Sequence, residues 1–97
     1  MNPIRKPTFA GTTEVYQFEV IGTQYLVKNM SGGDVVVSFE PMEEAEETWL
    51  IPDGAWQIVP GAPNRIYRQT LYVKADAAST RGVEIEAVEY ELPRRMT

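Results

Sequence analysis

The chain of 97 residues has no cysteine and no histidine. It therefore has no disulfide, no thiolate nucleophile, no imidazole base and no Cys/His zinc site. It also lacks a long apolar run, since no stretch approaches the roughly 18 apolar residues of a membrane helix. Behind the basic start MNPIRKPTFAGTT there is no apolar segment of the export-signal type, so export by a signal peptide is not expected. Bases are few: 9 Lys+Arg stand against 14 Asp+Glu, for a formal net charge of -5. That balance is a poor one for nucleic acid or an anionic membrane, and neither is expected as a partner. The length fits one domain.

The charge that is present is unevenly placed. Arg5 and Lys6 sit near the start, and Arg94 and Arg95 near the end. All 14 acids lie between these tips, against five bases (Lys28, Arg65, Arg68, Lys74 and Arg81). From Asp34 to Asp53 there are seven acids, among them Glu43, Glu44, Glu46 and Glu47, and no base. An acidic run of this kind usually forms a solvated face. The sharper expectation is that the basic tips meet the acidic stretch of a neighbouring copy, in contacts that weaken with salt.

The hydrophobic period is two. Glu14–Ile21, Gln24–Met30, Val35–Glu40, Thr48–Ile51, Ala55–Val59, Arg65–Ala75 and Val83–Glu91 read as strands. Gly22-Thr23 reads as an interruption between the first two. Ser31-Gly32-Gly33-Asp34 reads as a hairpin turn, and Pro52-Asp53-Gly54 as a second turn. The alternation slips at Ala87-Val88, which predicts a bulge. No segment has the length of an amphipathic helix. The acidic Pro41–Glu47 run has helix-forming residues but is too short to stand alone, and reads as a loop or single turn.

The fold class expected is all-β, an antiparallel β-sandwich or jelly-roll-like barrel of about seven strands, with hairpins between sequential strands. The domain plan is a flexible N-terminal arm over 1–13, a single β-sandwich domain over 14–91, and a short basic tail over 92–97. Parity assigns the core to Tyr16, Phe18, Val20, Tyr25, Val27, Val35, Val37, Phe39, Trp49, Ile51, Ile58, Leu71, Val73, Val83 and Ile85.

Chemistry-bearing groupings are thin. Glu84 and Glu86 share a strand face, but paired catalytic carboxylates need a cleft that raises one pKa. The EEAEE run offers oxygen ligands without the spacing or the glycine of a calcium loop. Ser31-Gly32-Gly33 joins strands and opens no helix, unlike a phosphate cradle. No base stands beside Ser31, Ser79 or Thr80 in the sequence. The expectation is therefore no enzyme, no cofactor and no metal. Ten aromatic residues are many for this length. Trp49 and Trp56 flank the Pro52-Asp53-Gly54 turn, and only one of them needs to face inward; the other is available for an interface or a sugar ring.

Several runs together resemble small structural proteins of tailed phages and Gram-positive prophages. They are Tyr25-Leu26-Val27-Lys28-Asn29, Ser31-Gly32-Gly33-Asp34-Val35-Val36-Val37-Ser38-Phe39, Ile51-Pro52-Asp53-Gly54 and Leu71-Tyr72-Val73-Lys74-Ala75. The resemblance spans Gln24 to Val88. It implies a β-sandwich head-decoration, head–tail or tail-associated component without enzyme activity. The implied partners are copies of the chain and capsid or tail proteins, and the implied location is the host cytoplasm during assembly and then the virion. Arg5, Lys6, Trp49, Trp56, Arg94, Arg95, Glu43, Glu44, Glu46 and Glu47 are the candidate interaction residues. The other reading carried forward is a carbohydrate-binding module using surface Trp and Tyr.

Overall fold

The computed structural model describes residues 3–61 and 68–91, the side chains of Arg68 and Glu91 excepted. Arg94, Arg95 and the basic tail lie outside the described residues. The described residues form seven strands, β1 (Ile4–Thr8), β2 (Thr13–Asn29), β3 (Val35–Ser38), β4 (Trp49–Ile51), β5 (Trp56–Pro60), β6 (Arg68–Ala75) and β7 (Ser79–Glu91). Every pairing is antiparallel, and all seven strands belong to one connected sheet ordered β1-β7-β2-β6-β3-β4, with β5 also on β2. The all-β class is as the period-two pattern predicts, and no helix occurs among the described residues.

The 17-residue β2 organises the sheet. Its first part, Thr13 to Gln17, pairs with β6. Its last part, Gln24 to Asn29, lies between β5 and β7. One strand thus serves two layers, β2-β6-β3-β4 on one side and β1-β7-β2-β5 on the other. The crossing region is bent by irregular pairing. The register slips twice against β7, and Val88 is the unpaired extra residue where Gln24 meets Glu89 and Tyr25 meets Ala87. That is the bulge expected from the alternation, and a bulge bends and twists a strand. Gly22 lies within β2 and does not interrupt it. A Cβ there would collide with the ring of Tyr25, so the glycine lets that ring lie against the backbone.

Sequential hairpins are not the rule. Among the described residues only β3 and β4 are both consecutive and paired. The Ser31–Asp34 glycine turn carries the chain from β2 to β3, which do not pair; β3 bonds to β4 and β6. The Pro52–Gly54 turn likewise passes from one layer to the other. Both are arches, because each layer already supplies the neighbours of its strands. The acidic segment contains a turn closed by the Glu44 amide on the Pro41 carbonyl, 2.9 Å.

The N-terminal arm is also corrected. Ile4–Thr8 pairs with β7 instead of remaining flexible. Its alternating burial at Ile4, Lys6 and Thr8 is a strand pattern, and Pro7 is tolerated because β1 is an edge strand with a register shift there.

The core lies between the layers. Tyr16, Phe18, Val20, Tyr25, Val27, Val35, Val37, Ile51, Leu71, Val73, Val83 and Ile85 are buried as expected, with Val59, Ala75 and Ala87 added. Phe39 and Trp49 are half-buried against it. Ile58 is not in it: the side chain is 45% exposed and Val59 takes the inner position opposite Tyr25. An aromatic chain Phe18–Tyr25–Phe39–Trp49, with centroids 5.1, 5.9 and 5.5 Å apart in succession, runs along the core to its margin. Each fully buried large side chain contributes about 1.5–3 kcal/mol.

Candidate functional site

The outward face of β5-β2-β7-β1 gathers the most distinctive surface chemistry. Register sets it up: Trp56 lies beside Lys28, Lys28 beside Glu84, and Glu84 beside Arg5. Four side chains thus form one row across four strands, with Arg5 and Trp56 three strand spacings, roughly 14 Å, apart. Lys28 Nζ is 3.2 Å from Glu84 Oε2 and 4.5 Å from the centroid of the Trp56 ring. Lys28–Glu84 is the sole ion pair among the described residues. The ammonium covers one face of the indole. Trp56 is still 64% exposed, so much of its ring remains open to a partner. In the next row Ile58, exposed, sits beside half-buried Leu26 and then Glu86. The result is an apolar strip on β5 and β2 bordered by two glutamates.

Sequence-predicted residues divide accordingly. Arg5 and Trp56 come together on this face. Lys6 does not join them: its Nζ donates to the Val15 carbonyl at 2.6 Å and lies 5.6 Å from the Tyr16 ring, which ties it to the body of the chain. Trp49 packs edge-on against Phe39, leaving Trp56 as the outward tryptophan of the two. Glu43, Glu44, Glu46 and Glu47 are exposed in the β3–β4 connection. The acidic stretch is not one surface. Asp34 and Asp53 meet at the opposite end of β3, where Asp34 Oδ1 accepts from the Asp53 amide at 3.1 Å.

The end near Asp34 is held by buried polar groups. Asn29 is fully buried, and its Nδ2 donates to the carbonyls of Gly33 (2.8 Å), Ile51 (2.9 Å) and Pro52 (3.2 Å). Its Oδ1 accepts from the Ser31 amide at 3.0 Å and the Ser31 hydroxyl at 2.7 Å. One amide thereby fixes both arches, which satisfies carbonyls that would otherwise be buried without a donor. This clamp escaped sequence reading, because a lone Asn after a strand looks like any turn residue.

A shallow groove lies at the same end, lined by Pro7, Thr8, Phe9, Ala78, Ser79 and Thr80. Two of its hydroxyls are engaged. Thr8 Oγ1 donates to the Ala77 carbonyl at 2.8 Å, and Ser79 Oγ accepts from the amides of Arg81 and Gly82 at 3.1 and 3.2 Å. No grouping of three or more metal-ligating side chains occurs among the described residues. Tyr16 and Tyr25 have phenol pKa values raised mainly by burial. A backbone hydrogen bond at Lys6 opposes the shift for Tyr16, and one at Gly22 opposes it for Tyr25, which reaches about 12. Both are core groups and sit apart from the outward face.

No family model matches the chain, and no curated protein or solved structure matches it. The candidate site therefore rests on geometry alone.

Proposed function

We propose that this chain is a non-enzymatic structural component of a tailed-phage or prophage particle, a decoration, head–tail or tail protein that works through protein–protein assembly. The observation that carries the assembly reading is the exposure of Trp56 and Ile58 together on β5, at 64% and 45%. Contiguous exposed apolar surface rimmed by charge marks interaction sites on soluble domains. The runs between Gln24 and Val88 that resemble phage structural proteins support the phage reading, under which the protein would occupy the host cytoplasm during assembly and then the particle. Arg5 on the same face, and the exposed glutamates of the β3–β4 connection, supply charge for contacts with capsid or tail proteins. The test is co-sedimentation of purified protein with particles that lack it. Binding that is lost in a Trp56→Ala, Ile58→Ser double variant supports the reading; no binding to any particle overturns it.

The open part of the Trp56 ring favours one other reading, a carbohydrate-binding module. Sugar rings stack on exposed indoles, and Glu84, Glu86 and Arg5 are hydrogen-bonding groups on the same face. Titration of tryptophan fluorescence with cell-wall glycans separates the two. Saturable quenching that disappears in Trp56→Ala selects the module, and no response to any glycan removes it.

A further inference from the structure

We propose that β5 is a self-pairing edge, through which two copies of this chain join into one continuous sheet. The inference deepens the assembly reading and rests on it. It starts from the hydrogen-bond phase of β5. The Asn29 amide donates to the Ala55 carbonyl at 3.0 Å, and the Gly61 amide donates to the Thr23 carbonyl at 2.8 Å. Antiparallel ladders alternate, so residues 55, 57, 59 and 61 turn their backbone groups to β2. The backbone groups of Trp56, Ile58 and Pro60 then point to the other edge. No strand pairs with that edge among the described residues; β4, the next strand in sequence, bonds to β3.

Among the described residues this edge is unguarded. Natural edges are blunted by charge, proline, bulges or shortness. β1 carries Arg5, Lys6 and Pro7 and has a register shift, and β4 has three residues. β5 reads Trp-Gln-Ile-Val-Pro, without a charge, and pairs with β2 in unbroken register. Its only blunting residue is Pro60 at the end.

A second copy of β5 fits the pattern of donors. With a two-fold axis at Ile58, each Ile58 amide meets the Ile58 carbonyl of the other copy. Each Trp56 amide meets a Pro60 carbonyl. The donor that Pro60 lacks would have reached only the Trp56 carbonyl, at the strand end where water can serve it. The axis is perpendicular to the sheet, so both outward faces stay on one side. Ile58 then packs on Ile58, and Trp56 packs on Pro60, covering the most exposed apolar side chains of the strand. The association is apolar and backbone-bonded, and so insensitive to salt, unlike docking of basic tips on acidic loops.

The experiment is sedimentation equilibrium of the full chain, from micromolar to millimolar, in low and in molar salt. The expected result is a monomer–dimer equilibrium that persists in molar salt. Ile58→Lys, which brings two ammonium groups to the axis, is expected to weaken the dimer by at least about 30-fold, with a thermal melt that matches wild type at dilutions where both are monomeric. As a second route, Ile58→Cys introduces the only thiol in the chain and is expected to form a disulfide-linked dimer on mild oxidation, while Gln17→Cys on exposed β2 is not. A wild-type monomer throughout, a dimer dissolved by salt, or cross-linking no faster than Gln17→Cys overturns the proposal. A folded Ile58→Lys variant that still dimerises also overturns β5 pairing, but leaves assembly through another surface standing. Assembly itself fails only if the protein is monomeric and binds no particle.

Discussion

The hydroxyl of Tyr16 donates to the carbonyl oxygen of Val83 at 2.7 Å, reaching from the first part of β2 to a strand that pairs with β2 only from Ile21 onward. Tyr16 is fully buried, so this bond crosses the core and ties the two layers. It also lies at the seam where β1 meets β7, because Lys6 is the register partner of Val83. Tyr16→Phe keeps the ring and deletes the bond, leaving a buried carbonyl without its donor. The expected loss is about 1–3 kcal/mol, read as a fall in melting temperature of roughly 4–8 °C per kcal/mol for a domain of this size. An unchanged melt would mean that the two layers do not depend on this strut.

Alkaline pH should attack the same region. Burial raises the phenol pKa of both Tyr16 and Tyr25, the latter to about 12, above the ordinary value of 10.0. A raised folded-state pKa means that the unfolded chain releases protons first as pH rises. Stability from these two groups is therefore complete below about pH 10 and falls progressively above it. Urea unfolding from pH 8 to 12 should show a falling midpoint above pH 10. The Tyr25→Phe variant should show a shallower fall. A flat profile through pH 12 contradicts the burial of these phenols.

Asn29 should be the most sensitive polar position. Its side chain serves three carbonyls and accepts twice from Ser31, all within the arch end of the fold. Asn29→Ala strands several buried groups at once, for an expected cost of about 2–4 kcal/mol. Asn29→Asp has the same shape but turns a charged acceptor toward three carbonyls, and should cost at least as much. Ser31→Ala removes one partner and should cost less. Equal, small losses at all three positions would show that water substitutes for the clamp.

The fold class was readable because the period-two pattern is strong from Tyr16 to Ile85 and the inner residues are large. The arrangement of strands was not. Ser31-Gly32-Gly33-Asp34 has hairpin chemistry, yet the same glycines serve an arch; the choice depends on which strands already flank β2, which is a property of the whole sheet. Ile58 and Val59 are adjacent apolar residues of opposite parity, and only the pairing of Val59 with Tyr25 decides between them. Ile4–Thr8 has one aliphatic residue, two charges and a proline, so its strand exists by tertiary pairing with β7. For the candidate site, sequence gave Arg5 and Trp56 as separate features and missed the Lys28 and Glu84 that join them. Cross-strand rows become visible only with register.

Gly82 marks a position where backbone alone sets the limit. Its φ is +62°, and an added Cβ would collide with the Lys6 carbonyl. It lies in β7 beside the irregular part of the β1 pairing, between the Lys6–Val83 and Thr8–Ser79 partners. Gly82→Ala therefore meets left-handed strain and overlap together, for an expected loss of about 2–4 kcal/mol. Gly32→Ala has φ +86° with open space around it, and should cost only the conformational part. The ratio of the two losses, from matched urea titrations, separates close approach from φ alone.

Lys6 should matter more for solubility than for stability. β1 and the first part of β2 come together without ladder pairing, and the Lys6 ammonium donates across the gap to the Val15 carbonyl at 2.6 Å. The bond is exposed, so Lys6→Ala should cost no more than about 1 kcal/mol. The substitution also removes a charge from a strand edge and uncovers the carbonyl of Val15, a residue that is 41% exposed. Charged residues at such places oppose edge-to-edge association. Lys6→Ala is expected to scatter light sooner than wild type on agitation near its melting temperature, and Lys6→Arg to behave as wild type. Self-pairing at β5 would leave this behaviour unchanged, so Ile58→Lys should not rescue the Lys6→Ala variant. Rescue would instead show that the two edges meet in one aggregate, with β5 of one copy seeking the gap that Lys6 closes in another.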